Sequence, residues 1–140
     1  MILAGVVRVA LTTALIGSAS LAGTTPAKGP LHVVAAIEPG QWELREEGRA
    51  GATRQVCIND PDMLVQFQHG PMHCSRFVVD DQPMSATVTY DCQGNGRGRT
   101  TIRASTPRAL YLETQGIARG APFDMRFEGR RTGACAASAR

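Results

Sequence analysis

Apolar and polar residues alternate with period two over most of the chain, and turn residues cut the alternation into short runs. That is the pattern of antiparallel strands. Residues 41–46 put Trp42 and Leu44 on one face and Glu43 and Arg45 on the other. Gly48-Arg49-Ala50-Gly51 reads as a turn, and residues 53–58 as a second strand with Val56 and Ile58 inward. Asn59-Asp60-Pro61-Asp62 opens a short helix. The Asp60 carboxylate can accept free backbone N–H groups, and Pro61 suits the first helical position because it has no donor to satisfy. Met63, Leu64 and Phe67 form its apolar face, and Gly70-Pro71 ends it. Residues 74–80 and 84–92 pair as a hairpin across Asp81-Gln82-Pro83, with Val88, Tyr90 and Cys92 on one face. After the turn Gln93-Gly94-Asn95-Gly96 comes a strand over 97–104, then the turn Ser105-Thr106-Pro107-Arg108. Leu110 and Leu112 mark the next strand, residues 116–122 read as a loop, and residues 123–131 alternate Phe123, Met125 and Phe127 inward. The expectation is a mainly β chain: an antiparallel meander of about seven strands with one short helix, strongly curved or partly closed into a barrel.

The first segment departs from this pattern. Arg8 is an early positive charge, residues 9–22 are an apolar run without Asp, Glu or Lys, and small residues gather at Ser18, Ala19, Ser20, Ala22 and Gly23. That order is a secretory signal peptide. The run is shorter than the roughly 18–20 residues of a spanning helix, which ranks an uncleaved anchor second. Ser18-x-Ser20 and Ser20-x-Ala22 fit a small-x-small cleavage rule, and Val34-x-Ala36 is a late alternative. A lipoprotein signal would need Cys where Thr24 stands. The expected organisation is a signal peptide over 1–23, a flexible lead-in over 24–38, one β-domain over 39–135 and a disordered tail over 136–140. Cleavage after residue 23 leaves 117 of the 140 residues, one domain with a small core. No transmembrane segment remains after cleavage, and the expected location is periplasmic or secreted.

Charge and cysteine change the picture next. The chain has 15 Lys+Arg against 12 Asp+Glu; without Arg8 the balance is 14 against 12. That is too mild for nucleic acid, which export also argues against. Four cysteines, Cys57, Cys74, Cys92 and Cys135, all lie past the leader and none forms a CxxC. An even count in an exported chain indicates two disulfides, with three possible connectivities. In a meander the start of one strand and the end of the next share an end of the sheet, so Cys74 and Cys92 can meet. Three further strands put Cys135 at the opposite end, and a helix that carries the chain across puts Cys57 there too. Cys57–Cys135 with Cys74–Cys92 is therefore preferred. The other pairings span a strand length of about 17–20 Å, beyond the reach of about 7 Å between Cα atoms.

Pro39-Gly40-Gln41-Trp42-Glu43 follows the leader; then come Arg54-Gln55-Val56-Cys57-Ile58, Cys74, Cys92 and Phe127-Glu128-Gly129-Arg130-Arg131-Thr132-Gly133-Ala134-Cys135. Together these resemble the secreted bacterial family known as domain of unknown function thirty-six-seventeen, over residues 39–135. The chain differs in a shorter segment before Cys57 and in lacking a Met-Pro-rich stretch there. The resemblance implies an envelope or periplasmic location and no catalytic residues.

Candidate chemistry is sparse. In His69-Gly70-Pro71-Met72-His73-Cys74, the two histidines sit four apart, the spacing of one helix face, but Gly70-Pro71 breaks a helix. With Cys74 oxidised, His69, Met72 and His73 remain as soft ligands for copper, fewer fixed ligands than such sites use. The competing reading is a surface connection into a bridged strand. Arg97, Arg99 and Arg103 share one strand face and could meet lipid phosphate or an acidic partner; a solvated face is the plainer reading. Gly94-x-Gly96-x-Gly98 lacks the Lys-Ser/Thr and helix of a phosphate loop. Trp42 and Tyr90 could line a ligand pocket, though Trp42 also suits a core anchor. There is no Gly-x-Ser-x-Gly, no His-Glu-x-x-His and no free cysteine nucleophile. The reading is a non-enzymatic, disulfide-stapled β-domain without a cofactor. It would bind an apolar small molecule or another envelope component. Copper binding is the alternative, and a purely structural envelope protein the third.

Overall fold

The computed structural model describes residues 29–136 apart from Arg49 and Gly51. The expected leader over 1–23, part of the turn at 48–51 and residues 137–140 lie outside the described residues. Seven strands form one antiparallel sheet: β1 (Gly40–Glu46), β2 (Thr53–Ile58), β3 (Ser75–Gln82), β4 (Ser85–Asp91), β5 (Gly96–Thr106), β6 (Ala109–Ala118) and β7 (Ala121–Gly133). Their order is β2-β1-β7-β6-β5-β4-β3, so β2 and β3 are the two edges and the sheet does not close. A short 3₁₀ helix, Pro61–Gln66, carries the chain from one edge to the other. Asp60 caps it by accepting the Asp62 N–H at 3.0 Å, and Pro61 opens it.

Strand parity fills the inner face. Trp42, Leu44, Ile58, Ala86, Val88, Ile102, Ala104, Leu110, Leu112 and Phe127 turn to one side and are buried. Two elements cover that side. The 3₁₀ helix brings Leu64 and Val65, and α1 (His32–Ala36) with its flanks brings Leu31, Val33, Val34 and Ile37. The 31–37 stretch is therefore core, where the sequence reading had a flexible lead-in. The lead-in reading rests on Pro26, Lys28, Gly29 and Pro30 and passes over the apolar quartet that follows them at helical spacing. His32 clamps the helix to the far edge: its backbone N–H and ring Nδ1 both donate to the Asp81 carboxylate at 2.9 Å. No helix among the described residues is long and apolar enough to cross a membrane.

The second departure is the 116–122 loop, which is mostly strand. β6 and β7 pair down to Ala118–Ala121, leaving only Arg119 and Gly120 as a turn, at φ 50° and 80°. Two residues at positive φ make the tight hairpin turn whose twist matches that of the strands. Pro122 is tolerated because β1 pairs β7 only from Phe127 onward, so nothing on that side needs its missing N–H.

The disulfides join Cys57 to Cys135 and Cys74 to Cys92, the preferred connectivity. The first ties edge strand β2 to the chain just beyond β7. The second ties the start of β3 to the residue after β4.

Candidate functional site

His69 does not point at solvent. It is 7% exposed, wedged edge-on between the rings of Tyr90 and Phe123 at 5.2 and 5.9 Å. Its Nε2 lies 3.2 Å from the Ile117 carbonyl and its Nδ1 3.2 Å from the Tyr90 hydroxyl. A carbonyl only accepts, so Nε2 carries the proton and Nδ1 accepts from the tyrosine. Gly96 and Gly98 make room: a Cβ on Gly98 would lie 2.5 Å from the Tyr90 oxygen, and one on Gly96 3.0 Å from His69 Nε2. Those glycines allow close approach of side chains, not of phosphate. Burial raises the Tyr90 phenol above its ordinary pKa, with the Thr114 and Thr100 hydroxyls pulling the other way. Those two hydroxyls bond each other at 2.9 Å in the buried interior.

Met72 and His73 face outward and Cys74 is in its disulfide. The structure thus separates the three copper candidates, His69 inward and Met72 and His73 outward. Among the described residues no group of three or more His, Cys, Asp or Glu is placed to hold a metal. The loop is shaped by Gln66, which the sequence reading passed over. Its amide N–H groups donate to the Gly70 and Met72 carbonyls, and its oxygen accepts from Arg76 at 2.8 Å.

Trp42 is wholly buried at the start of β1 and donates its indole N–H to the Glu38 carbonyl at 3.1 Å. Its side chain belongs to the core.

The arginine stripe lies outward on β5, as parity requires. Arg103 stacks over the Tyr111 ring at 5.6 Å. Arg97 and Arg99 instead enter an open groove of about 720 Å³ that crosses β3 to β7 on the outer face. Two outward rows wall it: Phe77, Thr89, Arg99, Gln115 and Asp124, and Ser75, Asp91, Arg97 and Ile117. Between them runs the row through Tyr90, Gly98, Gly116 and Phe123. That row turns inward, so it adds no side chain to the trough on the outer side, and Tyr90 covers Gly98 from within. Among the described residues no carboxylate is within ion-pair distance of Arg97 or Arg99. Asp91 sits directly across from Arg97, and Asp124 is held by Arg126 at 3.8 Å. Phe77 and Ile117, 69% and 39% exposed, add apolar surface. Sequence reasoning missed Ile117 because residues 116–122 looked like loop, and Gln115 because only Leu110 and Leu112 marked its strand. Phe77 was visible only as one residue of a hairpin strand.

The chain matches a family model described as "Protein of unknown function (DUF3617)" over residues 37–135, and it belongs to that family. Neither a curated protein nor a solved structure matches it.

Proposed function

We propose that this member of the family is a non-enzymatic binding module of an oxidising, extracytoplasmic compartment, and that its working surface is the outer groove over β3–β7. The signal-like leader and two disulfides support the compartment. The observation that carries the surface is the pairing of two guanidinium groups, Arg97 and Arg99, with exposed apolar Phe77 and Ile117 in one trough. The inside of the curved sheet is a poorer candidate, because α1 and the 3₁₀ helix occupy it. The fitting ligand is an envelope component with one anionic group beside an apolar portion. Guanidinium donors favour such oxyanions strongly. Asp91 and Asp124 at the margins disfavour polyanions such as nucleic acid, whose binding rests on many cationic contacts.

Titration of the disulfide-intact chain with a short-chain anionic phospholipid, followed by amide chemical shifts, tests this reading. The expected result is shifts confined to the groove strands, weakened about tenfold or more in an Arg97→Gln/Arg99→Gln variant. Shifts centred on α1 and the 3₁₀ helix, or an unaffected double variant, would contradict it.

A further inference from the structure

The two sheet edges are unlike. β2 shows Thr53, Arg54 and Gln55 to solvent, a polar edge of the kind that discourages pairing. β3 shows three consecutive apolar residues, Phe77, Val78 and Val79, 69%, 48% and 46% exposed, and Met84 in the next turn is 57% exposed. No strand lies on the outer side of β3 among the described residues. An unpaired, apolar edge strand is a template for strand addition.

Its charge pattern says which strand fits. β3 runs from basic Arg76 through its apolar middle to acidic Asp80-Asp81. Laid antiparallel against itself about the Val78–Val79 step, Arg76 falls opposite Asp81 of a second copy, and Asp81 opposite the second copy's Arg76. Directly opposed residues must share a face to interact. Residues five apart on a regular strand do not share one. Here they do, because a bulge leaves Val79 without a cross-strand partner: Arg76 pairs with Tyr90 and Asp81 with Ala86, both on the inward row. The bulge that makes β3 a poor match for an ordinary flat strand thus brings its own charges into register with a second copy. Both groups have capacity to spare. Arg76 donates to Asp62 at 2.5 Å and to Gln66 at 2.8 Å, out of five N–H groups. Asp81 accepts two bonds from His32, one on each oxygen, and each oxygen has a further lone pair.

We infer that β3 is a self-association edge: two copies pair β3 to β3 antiparallel about a two-fold axis at Val78–Val79, joining their sheets into one. An isologous contact of this kind uses the same patch on both copies. This proposal stands apart from the groove reading and survives its failure.

Sedimentation velocity on the intact chain, carried up to NMR concentrations, tests it. The wild type is expected to dimerise. Val79→Lys, Arg76→Asp and Asp81→Arg are each expected to weaken the dimer about tenfold or more, since each sets like or unmatched charges across the axis. An equimolar mixture of the Arg76→Asp and Asp81→Arg chains should recover a dimer containing one of each. A monomeric wild type over that range overturns the proposal. So does a dimer indifferent to Val79→Lys, or folded charge variants that fail to combine. Val79→Lys keeps the test decisive if a charge variant does not fold, because Val79 has no partner in its own sheet.

Discussion

His69 serves the fold because its two ring nitrogens do different things, one donating to the Ile117 carbonyl and one accepting from Tyr90. Replacing it with alanine removes both bonds and opens a void between two rings. His69→Ala should therefore cost about 2–3 kcal/mol in urea unfolding, with copper affinity unchanged; a loss of copper affinity at unchanged stability would restore the metal reading. Tyr90 sets a pH limit. Its buried phenol titrates above 10.0, the unfolded value, so the folded state favours the neutral form. That stability is complete below pH 10.0 and is lost as pH rises through the folded value. An alkaline unfolding limb is expected, and Tyr90→Phe should flatten it. Gly98→Ala, which drives a methyl into the Tyr90 oxygen 2.5 Å away, should cost about 1–3 kcal/mol. The sequence marks His69, Tyr90 and Gly98 as notable but not as neighbours, because Ile117 and Phe123 lie roughly fifty residues from His69 and only the sheet brings them to it.

At the level of elements, parity was the most legible feature. Trp42 and Leu44, Val88 and Tyr90, and Phe127 turn inward as their alternation requires. The two elements that escaped notice had their own reasons. α1 is five residues long, too short for a repeating apolar stripe, and is held by burial rather than by propensity. The β6–β7 turn is hidden because Gly116, Gly120 and Pro122 look like loop punctuation, whereas two of them sit inside paired strands. α1 also constrains processing. Cleavage at the Val34-x-Ala36 position would remove Leu31, Val33 and Val34, all buried in the core. At roughly 1.5–3 kcal/mol for each such side chain, a chain starting at Ile37 should not fold. If the leader is removed, N-terminal sequencing of the mature chain is expected to place its start before Leu31, and a folded chain beginning at Ile37 would contradict the place of α1 in the core.

Across the whole molecule the open sheet is held at both ends by covalent bonds. Cys57–Cys135 spans 78 residues and Cys74–Cys92 spans 18. In the chain-entropy view the longer closure contributes about 4.5 kcal/mol and the shorter about 3. Cys57→Ser/Cys135→Ser should therefore lower the urea midpoint more than Cys74→Ser/Cys92→Ser; the reverse order would mean that native-state effects dominate. The pairing was readable from strand order together with a helix that carries the chain across the sheet, because a meander leaves few ends that can meet. The groove was not, because it depends on which rows the pleat turns outward and on which strands lie side by side. The groove is proposed to bind an anionic envelope component. Native mass spectrometry of the chain expressed with its leader and purified without reductant, beside its Arg97→Gln/Arg99→Gln variant, tests this most directly. Two disulfides, at two hydrogens each, make both chains four hydrogens light. An anionic organic adduct is expected on the wild type, leaving on denaturation and absent from the variant. An adduct carried equally by both chains, or a bound metal with free thiols, would contradict it.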